Sequence, residues 1–210
     1  MKIIAINASP RAGWNTDILV REAAAGAVSA GADVEVIDLY KLAPYTGCIS
    51  CFGCKTKAHL GRCICRDGLS DVLEKIRAAD GLILGSPVYL GDISAGLRAL
   101  YERLIFQYIS YKTEPYSYNS RRIPVLLILT SNAPAAYYAE LLKRYQGSLE
   151  SFIGPTQTFI SGDTLQVDNY DLYHWTMFNA EEKKERRETV FPKECQAVFT
   201  LGEGMCRKQV

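Results

Sequence analysis

Cys48, Cys51 and Cys54 put three thiols in seven residues, and Cys63 and Cys65 follow closely, so five of the chain's seven cysteines fall within eighteen residues. Core thiols scattered by packing needs would not cluster in this way. The C-x2-C-x2-C run matches the bacterial-type pattern that holds iron–sulfur clusters, since each corner iron of a cubane takes a thiolate from a different direction. A zinc site with His59 as a spare ligand is a competing reading, although zinc more often uses two well-separated CxxC pairs. A thiol-rich loop that carries no metal is a third. The odd number of cysteines argues against a disulfide framework. With Lys2–Ala8 too short and too unflanked to be an export signal, it points to a reducing, cytoplasmic setting. Cys195 and Cys206 read as buried apolar thiols.

A second group of candidates lies in Ser9-Pro10-Arg11-Ala12-Gly13-Trp14-Asn15-Thr16. The hydroxyls of Ser9 and Thr16, the Asn15 amide and the free amides of a starting helix could all donate to one anion, which a helix N-terminus favours. Arg11 adds a fork-shaped cation suited to phosphate oxygens. Neither a Walker-type GxxxxGKS/T nor a GxGxxG after a strand is present, which excludes nucleoside-triphosphate and dinucleotide loops of those kinds. A monophosphate such as that of flavin mononucleotide (FMN) fits; the plainer reading is a turn before a well-capped helix. Further on, Gly85-Ser86-Pro87-Val88-Tyr89-Leu90-Gly91 offers backbone polar groups, a fixed proline turn and an aromatic ring. A flat, mostly apolar ring system with hydrogen-bonding edges could lie against it, with Tyr89 as the best ring contact. A structural turn with a packed tyrosine reads equally well.

These residues must be positioned by the elements around them. KIIAINAS opens the chain as a strand buried on both faces, and a helix is expected from about Asn15 to Ala30. Strands follow at 34–40, 81–86, 123–131 and 156–161, with helices at 70–79, from Ser94, at 135–151, at 180–188 and at 192–206. The stretch 163–176 reads as loop, and the EEKKERRE run at 181–188 as a solvated helix face. Alternating strands and helices imply a doubly wound parallel sheet with right-handed crossovers. Ligands in such sheets sit beyond the carboxyl ends of the strands, which directs attention to the loops at 8–16, 45–66, 86–92 and 130–137. Composition fits one ordinary domain over residues 1–210, with 48% hydrophobic and 22% charged residues. A net charge of +1 with scattered basic residues gives no case for nucleic acid. No apolar run reaches the roughly 18 residues needed to span a membrane.

The strand–SPRxxxNT–helix unit, the SPVY loop after the third strand and the closing FPKECQAVFTLG resemble the NADPH-dependent FMN reductase group of flavodoxin-like proteins. The loop CISCFGCKTKAHLGRC resembles that of the iron–sulfur flavoproteins within the group. The resemblance implies a flavodoxin-like, five-stranded parallel sheet of order 2-1-3-4-5 with helices on both faces, a cysteine-rich loop at 45–66 and a helical extension at 177–208. It implies that Ser9, Arg11, Asn15 and Thr16 bind the FMN phosphate, and that Pro87, Val88, Tyr89, Leu90 and Gly91 hold the ring. Thr130, Ser131 and Asn132, after the fourth strand, follow by position. Trp14 stands where the family often has glycine. In the iron–sulfur flavoproteins the fourth cysteine comes sooner after the third, so here Cys63 and Cys65 compete for that place. Cys48, Cys51, Cys54 and Cys63 are the expected ligands of a [4Fe–4S] cluster. The flavin carries the chemistry, so no catalytic acid or base is expected.

The function implied is an FMN-dependent oxidoreductase passing electrons between a donor and an acceptor through the cluster, with NAD(P)H as a possible donor. The redox partner would be a small molecule or a protein, in a homodimer or homotetramer whose cluster lies near a neighbouring subunit's flavin. Because the cysteine loop leaves the strand beside the first, cluster and phosphate loop are expected to share one edge of the sheet. An NAD(P)H-dependent FMN or quinone reductase without a cluster is the alternative, and a non-catalytic flavin- or zinc-binding module the second. Tyr108, Tyr111, Tyr116 and Tyr118 could line either a subunit contact or the flavin entrance.

Overall fold

The computed structural model describes residues 1–207, so residue 208 of the expected extension lies outside the described residues. Strand β1 (Lys2–Asn7) is buried from its second residue onward. Its side chains alternate between two cores, as the two-residue strand period requires. Ile4 and Ile6 face one core and Ile3 and Ala5 the other. Around it run β2 (Asp33–Asp38), β3 (Gly81–Tyr89), β5 (Val125–Thr130) and β6 (Thr156–Ser161), all parallel, in the order β2-β1-β3-β5-β6. This is the expected flavodoxin-like 2-1-3-4-5 sheet with one addition. The third strand continues past 86 to Tyr89 and folds back on a two-residue β4 (Asp92–Ile93) as an antiparallel hairpin. Leu90 and Gly91 form its turn with φ of 51° and 81°, the double positive φ that a tight two-residue hairpin demands. Gly91 supplies that without strain and Leu90 does not.

Helices α2 (Ser70–Ala78), α3 (Ala95–Tyr108) and α4 (Ala139–Phe152) cover one face, where Leu73, Ile76, Leu97, Leu100, Leu104 and Leu149 meet Ile4, Leu82 and Leu127. On the other face lie α1 (Asn15–Ser29) and α6 (Phe191–Gly204), where Leu19, Val20, Ala23 and Val198 meet Ile83 and Ile128. The two helices of this layer approach backbone to backbone through a reciprocal pair of glycines. A Cβ on Gly26 would stand 2.0 Å from the Phe199 carbonyl oxygen, and one on Gly202 would stand 2.0 Å from that of Ala23. Helix α5 (Ala180–Thr189), capped by the Asn179 side chain, precedes α6. Among the described residues no helix is long and apolar enough to cross a membrane.

Strand register brings the carboxyl ends together. Asn7 lies opposite both Asp38 and Gly85, Pro87 opposite Thr130, and Thr130 opposite Ser161. The turns after β1, β3, β5 and β6 therefore leave the sheet along one rim.

Candidate functional site: a cleft at the sheet rim and a thiol pocket on α3

The turn after β1 is built by its own polar residues. Asn7 Oδ1 accepts the Ser9 N–H at 3.1 Å, Ser9 Oγ accepts the Arg11 N–H at 3.1 Å, and buried Asp17 accepts the Gly13 N–H at 2.7 Å. Asp17 is held in turn by Asn7 and Arg21. Helix α1 then starts without the side-chain cap that the plainer sequence reading assumes: Trp14 occupies the N-cap and makes no capping bond. The first-turn N–H groups of a helix have no intrahelical acceptor, so this end is set up for an anion. The Arg11 guanidinium lies 3.6 Å from the centroid of the Trp14 ring.

This turn forms one wall of an open cleft of about 260 Å³. Ser9, Arg11, Trp14, Asn15 and Thr16 line it from β1 and α1; Pro87, Val88 and Tyr89 from β3; Thr130, Ser131 and Asn132 from the end of β5. Thr16 and Thr130, both buried, share a hydroxyl–hydroxyl hydrogen bond of 2.7 Å that ties two of the three walls together. Tyr89 is partly exposed, and burial followed by the neighbouring Tyr40 pushes its phenol up.

Ten of the twelve residues expected at the flavin thus meet in one cleft. The other two, Leu90 and Gly91, form the hairpin turn and do not line it, with Leu90 fully exposed. Asn15 lines the cleft, but its side chain is engaged elsewhere. Its Nδ2 donates to the Leu165 carbonyl and its Oδ1 accepts from Arg187, both at 2.8 Å. None of Tyr108, Tyr111, Tyr116 and Tyr118 lines the cleft.

Sequence reasoning missed a fourth wall, Thr164, Leu165 and Gln166, which follows β6. Thr164 is pinned to the Ser131 carbonyl by its N–H and its hydroxyl, each at 2.9 Å. It also missed the role of α5. Far from presenting only a solvated face, that helix sends Lys183 to the Asn132 carbonyl and Arg187 to Asn15. The available signal was topological: the loop after the fifth strand leaves by the same rim as the others.

The cysteine loop, between β2 and α2, docks elsewhere than expected. It lies on the C-terminal half of α3, so it does not share the rim with the phosphate turn. Lys55 Nζ donates to the carbonyls of Phe106, Gln107 and Ile109, capping that helix end. Glu102 accepts the Cys48 N–H at 3.2 Å and Gln107 Oε1 the Cys63 N–H at 3.0 Å. Arg103, buried, donates to both Asp67 oxygens at 2.6 and 2.7 Å and to the Cys65 carbonyl at 2.9 Å. Burial alone would raise the Asp67 carboxyl, but Arg103 and the N–H groups of Thr46 and Leu69 outweigh it and hold the group below its ordinary value.

These straps flank a pocket lined by all five clustered cysteines together with Ile49, Phe52, Ile64 and Phe106. Cys54 is buried, Cys51 exposed and the other three half-buried; burial pushes the Cys54 and Cys65 thiols up. Among the described residues no three His, Cys, Asp or Glu side chains converge on a point where one ion could sit. A cubane imposes a different requirement, since its thiolates bind separate irons. The donor set fits it: an apolar pocket with five thiols, also lined by Arg103 and Gln107, each of which has a buried side-chain nitrogen without a partner. His59 does not line it, which removes the spare ligand of the zinc reading.

The family model for NADPH-dependent FMN reductase matches residues 1–131. An iron–sulfur flavoprotein of Methanocaldococcus jannaschii is 44% identical over 105 residues, covering 49% of this chain and 51% of that one. One of Methanosarcina thermophila is 34% identical over 107 residues, 50% and 53% of the two chains. The chain spans about half the length of the curated relatives it matches. Among solved structures, an azoreductase from Bacillus anthracis superposes with a TM-score of 0.68 at 16% identity over 97% of this chain and 99% of its own. An NAD(P)H:quinone oxidoreductase from Methanothermobacter marburgensis gives 0.63 at 14% over 100% and 99%. At such identities these two likenesses show the fold alone.

Proposed function

Because the chain belongs to the NADPH-dependent FMN reductase family, we propose that it is a flavin-dependent oxidoreductase, a single flavin-binding domain that couples FMN to a [4Fe–4S] cluster. The observation that carries this reading is the meeting of three strand-end turns around one cleft at the sheet rim. Ser9, Arg11, Thr16 and the open start of α1 would hold the phosphate. Pro87, Val88, Tyr89, Thr130, Ser131 and Asn132 would bound the ring, with Thr164–Gln166 closing the side. FMN bound there supplies exchange between two-electron donors such as NAD(P)H and one-electron acceptors. The chain's own part is to bind, orient and shield; no side chain is required as acid or base.

Cys48, Cys51, Cys54 and Cys63 would hold the cluster. Support for Cys63 over Cys65 is local: Gln107 fixes the Cys63 backbone, whereas the Cys65 sulfur is already within reach of the Asp67 carboxylate at 4.0 Å. The relatives named as iron–sulfur flavoproteins support the presence of an iron–sulfur group. Ser94, just before α3, donates to the Ala8 carbonyl at the sheet rim, while the thiol pocket meets α3 from Arg103 to Gln107. At 1.5 Å per residue the two lie about 14–20 Å apart along the helix. That separation supports a homodimer or homotetramer in which the cluster serves a neighbouring subunit's flavin, with a small-molecule or protein redox partner in the cytoplasm.

The test is the FMN, iron and acid-labile sulfide content of protein purified without oxygen. Stoichiometric FMN with about four irons per chain is expected. FMN without iron would replace the reading by a cluster-free NAD(P)H-dependent FMN or quinone reductase, and zinc without FMN by a binding module.

A further inference from the structure

Two side-chain polar atoms among the described residues are buried without a hydrogen-bond partner, Arg103 Nε and Gln107 Nε2. Both residues are only 2% exposed, both stand on α3, and both line the thiol pocket. A buried donor left unpaired is costly, more so if charged, so two such donors on residues lining one pocket point to acceptors held there. The remaining atoms of each side chain fix its aim. Gln107 Oε1 holds the Cys63 N–H, which leaves the amide nitrogen as the free end. Arg103 spends Nη1 on Asp67 and Nη2 on the Cys65 carbonyl, which leaves Nε. The Cys63 thiol is a close neighbour of the same guanidinium.

Resting on the cluster reading above, we propose that Arg103 Nε and Gln107 Nε2 donate hydrogen bonds to sulfur atoms of the iron–sulfur group and set its reduction potential. Thiolate and sulfide sulfurs are acceptors whose negative charge grows on reduction. Donors aimed at them therefore stabilise the reduced form more than the oxidised one and raise the potential. Both residues act on the group from α3 rather than as iron ligands, so they are positioning residues.

The native sequence can be tested directly. Reduced protein labelled with ¹⁵N at arginine Nε or at glutamine Nε2 is expected to show ¹⁵N hyperfine coupling to the paramagnetic cluster; no coupling from either label overturns the proposal. Gln107→Glu keeps the acceptor for Cys63 and replaces Nε2 by oxygen, and Gln107→Met removes the donor without adding charge. In both, the cluster is expected to become harder to reduce by about tenfold in its one-electron equilibrium, which is about 59 mV, while the FMN potential stays put. An unmoved cluster potential in both variants, with iron content intact, overturns this inference and leaves the cluster reading standing. Wild-type protein free of iron and acid-labile sulfide overturns both.

Discussion

Arg11→Ala separates phosphate recognition from ring recognition. Arg11 borders the cleft beside the open start of α1, and its guanidinium lies 3.6 Å from the centroid of the Trp14 ring. Hydrogen bonds to a charged group contribute about 1.5–3 kcal/mol each when shielded. Arg11 is half-buried, so solvent screening reduces that to about 1–2 kcal/mol. The expected result is about 5–30-fold weaker FMN binding. Lost stacking on Trp14, worth about 0.5–1 kcal/mol, would disturb the wall for any ligand of the cleft. Riboflavin, which has the ring and no phosphate, corrects for that. Fluorescence-quenching titrations of both ligands against wild type and variant form a cycle in which the phosphate term is the excess loss for FMN. The turn itself is tied by Asn7, Ser9 and Asp17 rather than by Arg11, so urea unfolding of the apoprotein should move little. Equal losses for the two ligands, or none for FMN, would refute the assignment of this turn to a phosphate.

Thr16→Val breaks the buried hydroxyl bridge to Thr130 and is expected to cost about 1–2 kcal/mol in urea unfolding, with weaker binding of both flavins. Gly26→Ala drives a methyl into the Phe199 carbonyl and should cost about 1–3 kcal/mol, whereas Gly147→Ala, with open space around it in α4, should be neutral or stabilising by the same measurement. Asp67→Asn weakens the clamp on buried Arg103 and should cost about 3 kcal/mol at neutral pH. Because the Asp67 carboxyl is held below its ordinary value when folded, its contribution is complete above about pH 4 and fades as pH falls through the folded value. Unfolding midpoints of wild type and variant, followed downward from pH 6 with thiols reduced, should therefore converge in acid; a gap that stays constant would show that the carboxylate charge is not what holds Arg103.

The parallel sheet was legible because each strand announces itself as a short apolar run bounded by turn residues, and the rim position of the cleft follows from topology alone. The β3–β4 hairpin was not legible: Leu90 at a positive φ defies its propensity, and a two-residue strand leaves no periodic signal. The spacing of Asn15 and Thr16 showed that they face the site, yet not that one would brace Leu165 and the other Thr130, since those partners come from distant segments. The basic residues of α5 look solvated because charge patterning records only neighbours on one helix. Lys183 and Arg187 instead reach backbone and side-chain acceptors on the rim. The cysteine spacing pointed to a clustered thiol site but misplaced the loop, because its docking is decided by Glu102, Arg103 and Gln107, which sequence patterning assigns simply to a helix.

Helix α3 is the element that relates the two pockets. Its start is fixed at the rim by Ser94, which donates to Ala8 and receives the Leu97 N–H, and its end is capped by Lys55 from the cysteine loop. Between them Leu97, Leu100 and Leu104 are buried in the sheet-facing core. Moving the thiol pocket toward the cleft would require pulling those side chains out, at about 1.5–3 kcal/mol each, so the separation is a fixed property of the fold rather than one state of a hinge. On the proposed reading, a short electron path would then come from a neighbouring subunit. The exposed side of the cysteine loop, where Ile49, Phe52 and Cys51 reach the surface, would be the face that meets its cleft. Dimer disruption should accordingly leave FMN and iron content intact while slowing cluster reduction by flavin, and an unchanged rate in the isolated protomer would place the path inside one chain.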